Sequence, residues 1–168
     1  MDDQGRRAAE EIRQALVALE LDWSETRDGV FAARLPGTRK LVTECALEVG
    51  AYAVSIRAFV ARRPDENERD VYRWLLEQNL KLYAVSFSLD ALGDIHLTGK
   101  LGLTLVSAAE IDRVLGVVAA TADDSFNTIL ELGFAESIKR EWVWRRSRGE
   151  STANLGAFTQ LDPTREQA

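Results

Sequence analysis

His96 is the only histidine of this chain, and it follows Asp94 and Ile95. An imidazole there serves as a general base or a metal ligand only with a nucleophile, a carboxylate or a thiol held beside it. Alternation along its segment places His96 on the face opposite Leu97, toward solvent. The one cysteine, Cys45, falls in an apolar row, where a thiol is packing and not a nucleophile. Glu44 and Glu48 share a strand face, with Arg57 within cross-strand reach. A buried pair of carboxylates does acid–base chemistry, whereas an exposed pair makes ion pairs, and the pattern points outward. Thr98-Gly99-Lys100-Leu101-Gly102 has the composition of a phosphate loop. It lacks the Ser or Thr that must follow the lysine and the helix that must open there. These residues assign no catalytic group, no metal and no cofactor.

One segment is unusual. Residues 135–148 hold Lys139, Arg140, Arg145, Arg146 and Arg148 against Glu136 and Glu141, with Trp142 and Trp144 among them. Basic and aromatic side chains together stack on bases, sit at membrane surfaces or anchor protein contacts. On a helix Trp142 and Trp144 project about 200° apart, so they do not form one stripe. The segment reads as a C-terminal helix that packs one tryptophan on the domain or across a dimer. A net charge of −6 disfavours nucleic acid as a partner of the whole surface.

These residues need a scaffold. At 168 residues, 46% hydrophobic and 29% charged, the chain suits one soluble domain with its own core. A single cysteine leaves no internal disulfide and fits a reducing cytoplasm. The N-terminus lacks the apolar stretch of a signal peptide, and no run is long enough to span a membrane. Residues 3–20 carry Ile12, Leu16 and Leu19 at helical spacing, with Asp2 or Asp3 as cap. After the Asp28-Gly29 turn come three alternating strands: Phe31–Leu35, Leu41–Val49 and Tyr52–Val60. Val54, Ile56 and Val60 face inward on the third, and Phe59 faces out.

Asp65 is placed to cap a helix that extends to Lys81, with Val71 and Leu75 inward. A hairpin follows, with Val85, Phe87 and Leu89 on one strand and Ile95, Leu97, Leu101 and Leu103 on the other. Gly99 interrupts the inner row, marking a bulge or a close contact. Ser107 and Glu110 form a capping-box pattern, with Val106 set to staple onto Ile111. The long helix then keeps Val114, Leu115, Val118, Ala122, Phe126, Ile129 and Leu130 on one side, and Gly133 is its expected C-cap. The domain spans 1–147 and includes the Trp/Arg-rich helix, and 148–168 reads as a flexible tail.

The block YRWLLEQNLKLYAVSFSLDALGDIHLTGKLGL, followed by the long helix, resembles the YbjN family of bacterial proteins, described as sensory-transduction regulators. Three features carry the likeness: the Leu-rich helix ending in Asn79-Leu80, the strand Val85-Ser86-Phe87-Ser88-Leu89 leading to Asp90 and Gly93, and the apolar return strand before the capped helix. It extends over roughly residues 8–133. The resemblance implies an α+β fold like that of type III secretion chaperones, in the order α-βββ-α-ββ-α, with helices on one face of a twisted five-stranded antiparallel sheet. It transfers no catalytic residue. The expected function is a non-enzymatic cytoplasmic module, chaperone-like or regulatory, that binds a protein partner and forms a homodimer. Phe59, Trp142, Trp144 and Arg145 are the candidate contact residues. Two alternatives are an enzyme with its site across a dimer, and a nucleic-acid or membrane-surface binder using residues 139–148.

Overall fold

Four strands, not three, follow the first helix. The computed structural model describes residues 1–164. Its elements are α1 (Asp3–Ala18), β1 (Asp22–Arg27), β2 (Val30–Pro36), β3 (Val42–Val49), β4 (Ala53–Ala61), α2 (Glu68–Asn79), β5 (Val85–Leu89), β6 (Ile95–Gly102), α3 (Ala108–Gly133) and α4 (Ala135–Arg148). The six strands form one antiparallel sheet in the order β1-β2-β3-β4-β6-β5. The expectation of five strands is corrected by β1, which pairs with β2 around the Asp28-Gly29 turn. β1 is polar except for Trp23, so it shows almost no alternation, as befits a strand with one neighbour and little of its surface inside.

The inner rows hold where sequence places them. Phe31, Ala33, Leu35, Cys45, Leu47, Val54, Ile56, Ala58, Val60, Leu97 and Leu101 are buried, and α1 and α3 pack over that face. The ends of the rows are not covered: Leu41 and Tyr52 lie in turns and are exposed. Cys45 is buried among apolar groups, which push its thiol up to about 12. Gly99 is the close contact: a Cβ there would collide with the Ala84 carbonyl, while the bulge lies between Phe59 and Ala61.

The caps divide into confirmed and corrected. The Asp2 carboxylate accepts from the Gly5 N–H at 2.8 Å, and the Ser107 hydroxyl accepts from the Glu110 N–H at 3.2 Å. Glu110 itself turns to Tyr83, whose hydroxyl donates to it at 2.5 Å. Asp65 does not cap α2. Asn67, in the left-handed region at φ 50°, stands at that position, and Asp65 instead accepts from Arg62 at 2.9 Å and Ser137 at 3.0 Å. Gly133 is not a left-handed cap; it ends α3, where a Cβ would lie 2.9 Å from Pro64. Its carbonyl accepts from the Asp65 and Glu66 N–H groups, so the β4–α2 loop closes the C-terminus of α3.

The tail is a further correction. Residues 153–161 form a kinked 3-10 turn that buries Leu155 and Phe158, and the Trp142 indole N–H donates to the Phe158 carbonyl at 3.3 Å. Arg146 pairs with the buried Asp162. Apolar residues in a polar stretch dock the segment, a signal too sparse for periodicity to register. Residues 165–168 of the expected tail lie outside the described residues.

Candidate functional site

The outer face of the sheet was the expected home of His96, Glu44 and Glu48. It holds all three, but they make no joint site. Glu44 pairs with Arg34 at 3.1 Å and Glu48 with Arg27 at 2.9 Å, as exposed cross-strand ion pairs. His96 is not solvated, being only 7% exposed. Its register partner Phe59 meets its ring edge-on, 5.6 Å between centroids, while Asp90 lies 3.1 Å from Nε2. Arg57 completes the cover, 3.5 Å from Asp90. Burial of Asp90 raises its pKa, but the N–H groups of Asp94 and Leu92 and the His96 ring outweigh this and hold it below the usual carboxylate range. The cluster locks the β5–β6 turn onto β4; the hydroxyl neighbours Ser88 and Thr98 bond each other at 3.0 Å. Thr98–Gly102 is strand, with no helix opening at the lysine. Among the described residues, no group of three or more His, Cys, Asp or Glu side chains is placed to hold a metal.

Two apolar regions stand out at the surface of the described residues. The first is a cleft of about 420 Å³ where the end of β4 meets α3 and α4. Phe59, Phe126, Leu130, Phe134, Ile138 and Leu155 line it, with Lys40 at its wall. Phe126 and Leu130 belong to the apolar side of α3 yet are only half-buried, because they face this space and not the sheet. Lys40 is delivered by the β2–β3 turn. Asp123 of α3 accepts the N–H groups of Thr38, Arg39 and Lys40 at 2.8, 2.7 and 2.9 Å, and the Thr38 hydroxyl at 2.8 Å. Burial raises the Asp123 pKa; these donors more than reverse that and leave it below the ordinary range. Gly37 lets the turn come this close, since a Cβ there would meet the Lys40 carbonyl.

The second region is the flank formed by α2 and β5. A groove of about 450 Å³ runs between them, lined by Tyr72, Leu75, Leu76, Phe87, Ser88 and Leu89. Leu76 is 66% exposed, Leu80 89% and Leu89 46%, an unusual density of open leucine. β5 is an edge of the sheet, yet its middle is closed. The Asn79 side chain accepts from the Phe87 N–H at 2.7 Å and donates to the Phe87 carbonyl at 3.3 Å. One amide thus plays the part of a neighbouring strand. Sequence reasoning named Asn79 for its family resemblance, without this role; an Asn at the end of a helix that precedes an edge strand is the signal that could have found it.

The four contact residues named from sequence scatter. Phe59 is 39% exposed at the cleft. Trp142 is buried inside its own chain under the docked tail. Trp144 is exposed on α4 with the Arg148 guanidinium over its ring, and Arg145 is held by Glu141 at 2.6 Å.

Comparison with known proteins places the fold and the lineage. An uncharacterized protein of Mycobacterium tuberculosis is 49% identical over 162 residues, covering 94% of this chain and 88% of its own length. Another, from Mycobacterium leprae, is 49% identical over 155 residues, covering 89% and 84%. Among solved structures, a chain of the heterodimeric complex ExoU–SpcU from the type III secretion system of Pseudomonas aeruginosa superposes with a TM-score of 0.50. That match covers 72% of this chain and 96% of the other at 14% identity, and it shows a shared fold. The six-stranded antiparallel sheet, the Asn79 seal on its edge strand and the Ser107 cap of α3 all fall within residues 8–131, which match the model of the YbjN family, described as "Putative bacterial sensory transduction regulator", and the chain belongs to that family.

Proposed function

We propose that this chain is a non-enzymatic protein-binding module, chaperone-like or regulatory in role, that works in the cytoplasm as a homodimer joined along the α2–β5 flank. The observation that carries the reading is the open leucine of that flank, Leu76, Leu80 and Leu89, beside the sheet edge. Burying such side chains contributes about 1.5–3 kcal/mol each. The groove walls bear no charge, so two copies related by a two-fold axis are self-complementary there. Asn79 occupies the centre of the edge, so side chains and not strand addition make the contact. The shared fold also occurs in a heterodimeric protein complex, which supports a protein-binding role.

The alternative through residues 139–148 receives less support. Lys139 meets Glu136 at 2.8 Å, Arg145 meets Glu141, and Arg146 meets Asp162, so much of that positive charge is compensated within the chain.

Light scattering tests the reading. The protein should have twice the chain mass of 18.7 kDa. Leu76→Asp with Leu89→Asp should return it to one chain mass with a native far-UV spectrum. Phe59→Asp, in the cleft, should leave the dimer intact. A monomer at high concentration would refute dimerisation, and a dimer lost only with Phe59→Asp would move the interface to the cleft.

A further inference from the structure

The cleft between β4, α3 and α4 differs from the flank in carrying charged side chains at its wall. Its volume of about 420 Å³ is in the range that holds a small molecule, and its lining is mostly apolar. Three charged side chains reach it: Lys40, Arg62 and Glu141. Two of them are engaged. Arg62 pairs with Asp65 at 2.9 Å and lies over the Phe134 ring, and Glu141 pairs with Arg145 at 2.6 Å. Lys40 differs. Among the described residues no carboxylate lies within ion-pair distance of its ammonium, and Glu44, the acid whose field reaches it, is held by Arg34. The ammonium stands 5.4 Å from the centre of the Phe59 ring and 5.3 Å from that of Phe126. Burial draws its pKa below the usual lysine value, a sign that the charge is poorly solvated.

The position of Lys40 is built and not incidental. Three successive N–H groups, its own included, are clamped by Asp123 of α3. The lysine stem therefore rises from a fixed turn, and its head is aimed between two aromatic walls of the cleft. A half-buried cation beside an apolar cavity favours a ligand with one negative charge and an apolar body. The site has one point charge without a carboxylate partner and no guanidinium fork free for a phosphate, which favours a monoanion.

We infer that this cleft binds a monocarboxylate with an apolar body, the body against Phe126, Leu130, Phe134 and Ile138 and the head on the Lys40 ammonium, and a medium-chain fatty acid serves as its probe. The inference does not depend on the dimer, because none of these residues belongs to the α2–β5 flank.

Calorimetric titration of the full chain with decanoate tests it, alongside decanol and decyltrimethylammonium. Decanoate should bind one per chain and saturate below about 1 mM. Decanol should bind about tenfold more weakly for want of the charged contact, and the cation more weakly still. Lys40→Gln should bring decanoate down to the level of decanol and leave decanol unchanged; the Asp123 clamp uses only the backbone of residue 40, so the fold is kept. Leu130→Trp, which fills the cavity, should weaken both. Absence of saturable decanoate binding, equal affinity for decanol and decanoate, or an unchanged decanoate affinity in Lys40→Gln would each overturn the inference. The same titration on a dimer-breaking flank variant should give the same affinity, so failure of the dimer reading and failure of this one are read separately.

Discussion

β1 and β5 close the two sides of one sheet by opposite means. β1 is irregular between Glu25 and Arg27 and clad in charge: Glu25 holds Arg13 of α1 at 2.9 Å and Asp22 meets Arg34 at 3.2 Å. β5 is regular and neutral, closed at its centre by the Asn79 amide and bordered by exposed leucine. A charged edge repels other chains, but its support varies with acid and salt. An amide-sealed edge is indifferent to both, and it leaves side chains free to meet a partner. Protection against unwanted pairing and availability for wanted contact are thus separated on the two sides.

The sharpest way to break this comparison is to unseal β5. Asn79→Ala leaves the N–H and carbonyl of Phe87 without their partner, and each such loss costs about 1–3 kcal/mol where water is excluded. The thermal midpoint should fall by about 5 °C, with new high-mass species in sedimentation as the edge pairs with other chains. An unchanged midpoint and a clean sedimentation profile would show that Asn79 does not guard the edge.

A smaller effect is expected at the lead-in to β5, where Tyr83 shares Glu110 with the first turn of α3. Ser107→Ala removes the cap and should cost about 1 kcal/mol, or about 3 °C in the midpoint. Because a hydroxyl does not titrate, the loss should persist in acid. A loss that disappeared at low pH would tie the cap to the charge on Glu110 and blur the contrast between the edges.

The smallest and most diagnostic change lies on β1. The hydrogen bond from Arg13, with that from the Gly29 N–H, holds the Glu25 carboxyl below its usual range. A carboxylate with a folded-state pKa below the unfolded one stabilises the fold above the unfolded value. That stabilisation is lost as pH falls through the folded one. Glu25→Gln should therefore lower the thermal midpoint slightly near neutrality, and the gap to the wild type should close as the pH drops below the carboxylate range. A gap that stayed constant with pH would mean that Glu25 acts through packing and not through charge.

How much of this was legible depended on what carried the signal. Alternation in β2, β3, β4 and β6 was readable because one face of each is in the core, and Ser107 was readable because a cap needs only local residues. β1 was missed because an edge strand that buries only part of Trp23 has no period to detect; the Asp28-Gly29 turn, with a strand after it, was the available clue to a partner before it. His96 was misplaced because period assigns a face and not the cover over it, and Arg57, Phe59 and Asp90 come from separate positions to supply that cover. The cleft was hidden for the same reason. Lys40 and Phe126 meet only through a clamp between residues 83 or more positions apart. Trp142 was recognised as an anchor, but its partner proved to be the tail expected to be loose.

The strand order also sets a timetable for the nascent chain. β1 to β4 form a meander of consecutive neighbours, but β4 finds its second neighbour only in β6, after α2 and β5 have been made. Until residues 95–102 leave the ribosome, β4 is an unpaired edge bearing Val54, Ile56, Ala58 and Val60. That interval, and not the finished molecule with its two guarded edges, is when the chain is most exposed to aggregation. Arrival of β6 ends it by turning an edge into the centre of the sheet, and the His96–Asp90–Arg57 cluster then fastens the late hairpin in place.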